Sequence, residues 1–314
     1  MKKLYTLVSM MCIADLGLSQ YYYIPYVNAN QNPGNINQDV DSEYPVGGGL
    51  NAAWTVIQGP SASAWSPVQT IPFTFSFNGS AVTQYKVSTT GVLTFTTTAG
   101  TVPGTPSALP SASLPDASVC AWGISGAGSN DNIVKRTYGT APNRQLWVSF
   151  SSYTNGANWT YFSIVLEETT NNIYIVDQRH SASYGGLRLG LQINSTTAVS
   201  VNPSPYTTLA SSGAVGPADN SYYQFIQGTQ PAYDMAATAE SVPAYLAIGA
   251  APFSITGTVQ NNGTVTVTSF DINYTVNGGT AVTAAHPAVN IATFGTANFT
   301  HPTQWNPATT GTYT

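Results

Sequence analysis

The chain has 314 residues, only 7% of them charged, and its formal net charge is −5. Soluble domains average about 25% charged residues, so Thr, Ser, Asn, Gln and Gly must supply most of this surface. The 8 Lys and Arg residues form no basic stripe, which argues against nucleic acid and against an electrostatic membrane anchor. The length is sufficient for two ordinary domains.

The first 20 residues have the composition of a secretory signal peptide. Lys2 and Lys3 precede an apolar run from Leu4 to Ala14 that is too short to span a bilayer. Cleavage is expected after Ser19 or Gln20. We therefore expect a secreted or cell-surface protein without a transmembrane segment.

Removal of the signal would leave Cys120 as the only cysteine. A single cysteine cannot form an internal disulfide, so stability must come from core burial and strand pairing. Because Cys120 lies in the apolar run Val119–Trp122, we expect a small buried side chain and not a reactive thiol.

From residue 21 onward the chain shows short alternating apolar runs separated by turn residues. The aromatic start, Tyr21 to Asn32, is either an edge strand or a segment that packs on the sheets. Apolar residues alternate with polar ones over Ile71–Phe77, and Asn78-Gly79 then favours a tight reversal. The alternation loses its phase between Ser80 and Gln84, so we expect a loop or bulge there.

The chain from Thr96 to Ala117 contains four prolines, which exclude a central strand and predict a long connection. More strand patterns follow, the clearest at Leu187–Ile193. We count roughly ten strands before residue 228 and no helix of normal length. The sequence therefore predicts an all-β fold, with a jelly-roll or lectin-like β-sandwich over residues 21–228.

A linker is predicted at residues 229–232, and a second strand pattern covers residues 233–314. Phe253–Val259 and Phe270–Val276 alternate, and each is followed by an Asn-Gly turn. This pattern predicts an immunoglobulin-like sandwich. Its last residues, Gly311 to Thr314, are typical of the start of a strand, so we expect the natural chain to continue.

Two stretches of the first region resemble the nidogen-like extracellular module. One is Phe73–Gly79 with the strand Val87–Phe95; the other is Asn143–Val148 with Phe162–Glu167. The resemblance covers about residues 30–228. It implies a β-sandwich in which a pair of core strands ends in a short acidic turn.

The second region is similar to CARDB-like immunoglobulin modules, through Asn261–Val265 and Phe270–Gly279. Together with the signal, this likeness implies a surface protein of the Bacteroidota, in the class of type IX secretion substrates. Relatives of that kind often end in a sorting domain, and some in a thioredoxin-like domain.

The sequence offers no catalytic constellation. His180 lies beside Asp177 and Arg179 at a predicted strand end, where we expect a solvated loop histidine; His286 and His301 each precede a proline and are expected in turns. HExxH, GxSxG and P-loop motifs are missing. We therefore expect neither an enzyme nor an organic cofactor.

One loop has the composition of a calcium site. Asp39, Asp41 and Glu43 alternate in an Asn-rich segment, and carboxylate oxygens on a flexible loop are ligands that Ca²⁺ prefers. Their spacing does not match the twelve-residue calcium loop of helical proteins, which favours the alternative of a solvated acidic loop.

Three aromatic residues fall in predicted loops, where binding residues concentrate. Trp65, Trp159 and Tyr184 could stack on sugar rings. Packing within the sandwich is the alternative for each of them.

Two functional hypotheses follow. The first is a non-enzymatic extracellular protein with an adhesive, glycan-binding, matrix-binding or structural role, whose partners are extracellular glycans or surface proteins. The alternative is that these are accessory modules of a longer secreted enzyme or thioredoxin-like protein, whose catalytic domain follows residue 314.

Overall fold

The computed structural model describes residues 21–38, 54–182, 185–206, 216–217, 220–243, 245–247, 249 and 252–313. These residues form eighteen β-strands and one 3₁₀ turn at Pro33–Asn35. None of the helical structure in this part of the chain is long and apolar enough to cross a membrane.

Thirteen strands belong to the first region: β1 Tyr21–Tyr26, β2 Thr55–Gln58, β3 Gln69–Phe77, β4 Ser80–Val87, β5 Val92–Thr94, β6 Ser118–Trp122, β7 Asn132–Thr140, β8 Asn143–Asn155, β9 Asn158–Glu167, β10 Ile173–His180, β11 Arg188–Asn194, β12 Thr197–Ser200 and β13 Ser221–Gln227. Five follow: β14 Met235–Ser241, β15 Thr256–Asn261, β16 Val267–Tyr274, β17 Val282–Ile291 and β18 Thr296–Thr300.

Strands β1–β13 build two antiparallel sheets, which we call the large sandwich. The seven-stranded sheet has the order β1-β13-β10-β9-β8-β7-β2, and the six-stranded sheet has the order β12-β11-β6-β5-β4-β3. Strands β7–β10 form a meander in the first sheet and β3–β6 form one in the second. The prediction of an all-β sandwich is confirmed, and the aromatic start of the described chain is the edge strand β1.

The core lies between the two sheets. Phe75 and Leu93 from the six-stranded sheet pack in one continuous buried cluster with Val148, Phe150 and Ile164 from the seven-stranded sheet. Neighbouring side chains of a strand point to opposite faces, so the outward residues of β8 and β9 need a separate cover.

A smaller buried cluster covers the outer face of the seven-stranded sheet. It contains Trp147 from β8, Val165 from β9 and Tyr222 from β13, together with Trp54. Because both faces are covered, β8 and β9 are buried along most of their length. A strand buried on both faces loses the clean alternation of a half-buried strand.

The reversal predicted at Asn78-Gly79 is a two-residue hairpin turn between β3 and β4. Both residues have positive φ, 49° at Asn78 and 76° at Gly79, as the tight turns of twisted hairpins require. Between Ser80 and Gln84 the expected loop is wrong, since β4 is continuous from Ser80. The β3–β4 register does shift there, between Val82 and Gln84, because β3 has extra residues between Thr70 and Phe75.

The proline-rich connection before β6 is held by one buried amide. Gln192 of β11 donates to the carbonyl oxygens of Ser111 and Leu114, at 2.9 and 3.1 Å, and accepts from the backbone N–H of Ser111 at 2.7 Å. The indole N–H of Trp122 donates to the Gly104 carbonyl at 2.8 Å. These bonds satisfy backbone groups that have no sheet partner.

The turn after β9 is the short acidic turn that the nidogen-like resemblance implies. Arg144 donates two hydrogen bonds to the Glu168 carboxylate, at 2.8 and 2.6 Å, and this interaction holds the pKa of Glu168 below its ordinary value. Glu167 accepts from Gln145 at 2.9 Å and from Asn172 at 3.0 Å. The turn is therefore fixed to the neighbouring strand β8.

Strands β14–β18 form two small sheets, which we call the C-terminal unit. The order β14-β15-β18 makes one sheet, and β16-β17 makes the other. The buried cluster consists of Val259, Val267, Ile291 and Phe299. The domain boundaries predicted at residues 228 and 233, and the immunoglobulin-like class of this unit, stay predictions.

The C-terminal unit contacts edge strand β1 of the large sandwich. The rings of Tyr23 and Phe294 lie 5.3 Å apart, and Gln260 donates to the Pro25 carbonyl at 3.1 Å. Both contacts use the free edge of β1, because its other edge pairs with β13.

Candidate functional site

One end of the large sandwich carries a cleft of about 450 Å³, which we call the Trp159 cleft. Its lining combines one exposed aromatic ring with hydroxyl, amide, carboxylate and guanidinium groups. The lining residues are Gly128, Ser129, Asn130, Asp131, Ser152, Trp159, Tyr161 and Arg179.

Two β-bulges shape this end of the seven-stranded sheet. The register of β8 against β9 shifts between Phe150 and Tyr153, and that of β10 against β9 shifts between Asp177 and Arg179. Ser152 lies inside the first bulge with φ 58°. Bulges redirect side chains locally, and here both strands that flank β9 are bulged beside Trp159.

Trp159 is the most exposed large side chain of the cleft, with 40% of its surface accessible. Its backbone N–H donates to the Ser181 hydroxyl at 3.0 Å, and its carbonyl accepts from the Ser181 N–H at 3.0 Å. The Arg179 guanidinium lies 5.6 Å from the centre of the indole, and the Tyr161 ring meets it edge-on at 5.9 Å. The indole is thus held in place while part of it stays in water.

Tyr161 also contributes a hydroxyl to the cleft. Its phenolic oxygen lies 2.8 Å from the Ser152 hydroxyl oxygen, and either can be the donor. The bulge at Ser152 brings the two hydroxyls together across the β8–β9 pair.

The loop of residues 126–131 forms the opposite wall. A Cβ at Gly126 would lie 2.5 Å from the Tyr153 ring, so only glycine lets the loop approach β8 this closely. Asp131 is 3% exposed and accepts from the Gly128 N–H at 2.7 Å. Burial raises the pKa of Asp131, and the bond from Gly128 opposes this shift.

This arrangement has the parts of a sugar-binding site. An aromatic ring can cover the apolar face of a pyranose, while hydroxyl, amide and charged groups around it bind the sugar hydroxyls. Asp131 is the one carboxylate among the described residues that line the cleft, whereas glycoside hydrolysis ordinarily uses a pair. The described lining therefore has the groups of a sugar-binding site.

Comparison with known families identifies the large sandwich. Residues 50–227, more than half of the chain, match the family described as NIDO related. The chain belongs to the NIDO-related family. The NIDO-related region contains strands β2–β13 and every residue that lines the Trp159 cleft.

No curated protein and no solved structure gives a match to the chain. Family membership confirms the predicted nidogen-like β-sandwich. The CARDB-like module, the Bacteroidota origin and the type IX secretion class stay predictions.

Two of the three sugar-binding residues predicted from the sequence, Trp159 and Trp65, lie apart from each other. Trp159 lines the cleft. Trp65 is half-buried elsewhere in the NIDO-related region: its indole N–H donates to the Thr101 carbonyl at 3.1 Å, and the Lys86 ammonium lies 4.7 Å from its ring centre. Tyr184 lies outside the described residues.

The predicted calcium ligands Asp39, Asp41 and Glu43 also lie outside the described residues. Within the described part of the chain, no group of three or more His, Cys, Asp or Glu residues is arranged to hold a metal ion. The calcium site stays a prediction.

Trp159 is the one described lining residue that the sequence pattern assigned to sugar binding. The other polar and aromatic lining residues are Ser129, Asn130, Asp131, Ser152, Tyr161 and Arg179. Tyr161 and Arg179 face each other in the β9–β10 register, and this pairing depends on the bulge after Asp177. An extra residue in a strand cannot be located from local alternation alone.

The prediction that His180 lies in a solvated loop is wrong. His180 is 7% exposed, ends strand β10 and lies opposite Thr160. Its Nδ1 lies 3.3 Å from the Asp177 carboxylate. The turn predicted at His286 is also wrong, since this residue lies within β17 and stacks on Phe270 at 5.0 Å.

Cys120 is fully buried in β6, as the apolar run around it predicts. Burial raises the pKa of its thiol, which keeps the sulfur in its unreactive protonated form.

Proposed function

We propose that the protein is a secreted or cell-surface, non-enzymatic binding protein and that its NIDO-related sandwich binds neutral glycans in the Trp159 cleft. The observation that carries this proposal is the 40% exposure of Trp159, whose indole lines a cleft of about 450 Å³. The Trp159 backbone is hydrogen-bonded to Ser181 through both its N–H and its carbonyl. A cleft of this size is within the range of small-ligand sites.

The chemistry of the lining favours a sugar over an apolar ligand. Ser152, Tyr161 and Asn130 offer groups that both donate and accept hydrogen bonds, as sugar hydroxyls do. An apolar ligand would displace water from these polar groups without replacing its hydrogen bonds, which costs binding free energy.

A glycan array probed with residues 21–314 would find the ligand, and titration calorimetry would measure its affinity. We expect Trp159→Ala to weaken binding at least about tenfold, equivalent to about 1.4 kcal/mol. Trp65→Ala is the matched control, because it removes the same side chain outside the cleft and should leave the affinity unchanged. Equal losses in the two variants, or no binding to any neutral glycan, would contradict the proposal.

We also propose the organisation of the whole chain: a signal peptide at residues 1–20, the sandwich domain to residue 228, a linker at 229–232 and an immunoglobulin-like domain from 233. The separate sheets and separate buried cluster of strands β14–β18 support the last boundary. Mass spectrometry of the exported protein should show an N-terminus at Gln20 or Tyr21. Limited proteolysis should cut between residues 228 and 233, and a first cut within β13 would contradict this boundary.

A further inference from the structure

A second, smaller groove lies on the side of the large sandwich, away from the Trp159 cleft. Its volume is about 220 Å³. It forms where β2, at the edge of the seven-stranded sheet, approaches β3, at the edge of the six-stranded sheet. We call it the basic groove, because Lys135 and Arg136 of β7 lie in its wall.

Lys135 is a half-buried cation without a carboxylate partner among the described residues. Its ammonium donates to the Gln69 side-chain oxygen at 2.9 Å. Burial lowers the pKa of Lys135, and no neighbouring charge offsets that shift. A partly desolvated cation with only a neutral partner is destabilised, and an anion placed beside it would remove that cost.

Arg144, on the other strand of the same hairpin, differs from Lys135 in having a carboxylate partner. Arg144 of β8 has its charge balanced by two hydrogen bonds to Glu168. No acidic residue is found among the described residues that line the basic groove. Three of the six Lys and Arg residues between positions 21 and 314 lie on the β7–β8 hairpin: Lys135, Arg136 and Arg144.

The rest of the lining indicates what kind of molecule carries the anion. Thr55, Thr70 and Thr137 are exposed around the groove and offer hydroxyl groups. Leu146 and Pro72 are the apolar residues of the described lining, and Leu146 is only 2% exposed, so this lining offers little apolar surface to anchor a peptide. The volume admits one charged group and part of its carrier, and the net charge of −5 disfavours a dense polyanion such as nucleic acid.

We propose that the basic groove binds an acidic glycan through a single sulfate or carboxylate group held by the Lys135 ammonium. The threonine hydroxyls around the groove contact the sugar that carries this group. This site is independent of the Trp159 cleft, and neither site requires the other.

The test compares a sulfated oligosaccharide with its desulfated counterpart and an oligouronate with its methyl ester, by titration calorimetry on residues 21–314. We expect at least one charged member to bind about tenfold more tightly than its neutral counterpart. Lys135→Gln should abolish this preference, whereas Arg188→Gln, the same loss of charge on strand β11, should keep it. Trp159→Ala should also keep it, which separates this proposal from the neutral-glycan site.

A second variant tests the same site in case Lys135→Gln loses the preference by disturbing the fold. Thr70 is exposed on β3, so Thr70→Glu should fold normally and place a carboxylate at the groove that abolishes the preference for the charged glycan. The proposal is wrong if wild-type protein shows no preference, or if the preference survives in both variants. Equal affinity for inorganic sulfate, or tighter binding of an oligoglutamate, would also overturn it, by indicating a free-anion or an acidic-peptide site.

Discussion

The large sandwich and the C-terminal unit are both built from antiparallel strands, but their buried cores differ greatly in size. The large sandwich closes two sheets of seven and six strands over one continuous core. The C-terminal unit has sheets of three and two strands and a buried cluster of Val259, Val267, Ile291 and Phe299. Exposed apolar side chains also flank this smaller unit, with Tyr233 72% and Tyr245 95% exposed.

This difference indicates where each region obtains its stability. Burial of apolar surface contributes roughly 25 cal/mol per Å², so the large sandwich can lose one contact and keep a substantial core. In the C-terminal unit a few side chains and local hydrogen bonds carry a larger share. We therefore expect the two regions to unfold in separate transitions. Three changes test that expectation, from the largest effect to the smallest, and a fourth tests the pH dependence of the large sandwich.

The largest effect is expected in the centre of the large core. Phe150 is completely buried, and its ring lies 5.2 Å from that of Tyr153. Phe150→Ala should lower the free energy of unfolding of the large sandwich by about 3–5 kcal/mol, because it leaves a cavity that the closed sheets cannot fill. Denaturant unfolding followed by fluorescence and circular dichroism measures the loss.

Val56→Ala on edge strand β2 is the control for Phe150→Ala, since Val56 is 42% exposed and should change stability little. If Phe150→Ala shifts both transitions by the same amount, the two regions unfold as one cooperative unit, which contradicts separate unfolding.

The second effect tests hydrogen bonding in the C-terminal unit. Asn261 is fully buried; its amide donates to the carbonyls of Val265 and Ile291 at 2.9 Å each, and its oxygen accepts from the Gly263 N–H at 2.9 Å. Asn261→Ala would leave these groups unpaired and should cost about 2–3 kcal/mol. The loss should appear in the transition of the C-terminal unit alone.

Asn298→Ala is the matched change, because Asn298 is exposed and its side chain accepts one hydrogen bond, from Thr258. It should cost much less than Asn261→Ala. Similar losses in the two variants would show that burial of the Asn261 amide adds nothing to the stability of this unit.

The third effect concerns the contact between the two regions. Phe294 meets Tyr23 at 5.3 Å, so Phe294→Ala should weaken the coupling between the transitions by about 0.5–1.5 kcal/mol, the usual contribution of an aromatic pair. Phe294→Tyr keeps the ring and serves as the control. Calorimetric melting should show the two transitions moving apart in the alanine variant only; unchanged spacing would show that the ring pair does not couple them.

The smallest effect concerns the pH dependence contributed by the Trp159 cleft. Because burial raises the pKa of Asp131, the folded protein keeps this proton to a higher pH than the unfolded chain does. The resulting stabilisation is complete below the unfolded pKa and is lost as pH rises through the folded value. Asp131→Asn keeps an oxygen for the Gly128 N–H but cannot ionise.

The stability of wild type relative to Asp131→Asn should therefore fall as pH rises, over an interval that begins near the ordinary Asp pKa of about 4. Urea unfolding of both proteins across this interval measures the difference, in which the other titrating groups largely cancel. A difference that is constant, or that rises with pH, would contradict the raised pKa of Asp131.

Much of the strand content was predictable because it depends on neighbours in sequence. Alternation at Ile71–Phe77 and Leu187–Ile193 indicated strands, Asn78-Gly79 indicated a turn, and prolines between Thr96 and Ala117 indicated a connection. Trp159 was recognised as a candidate ligand contact because it was expected in a loop. In the structure it lies instead near the start of β9, beside the β8–β9 turn.

The sites themselves were less predictable, because distant residues form them. Arg179 reaches Tyr161 only through the bulge after Asp177, and the same bulge carries His180 into a buried position opposite Thr160. The basic groove requires two edge strands from different sheets, and sequence alternation does not specify which strands become edges.

The sequence by itself determined that this chain is an all-β sandwich protein with a neutral, weakly charged surface, because side-chain periodicity, turn residues and composition act locally. The tertiary structure alone decided which exposed aromatic stands in a cleft and which cation lies beside an edge without a carboxylate. Register shifts and the approach of two sheet edges set these features, and both depend on how strands far apart in the chain come to pair and pack.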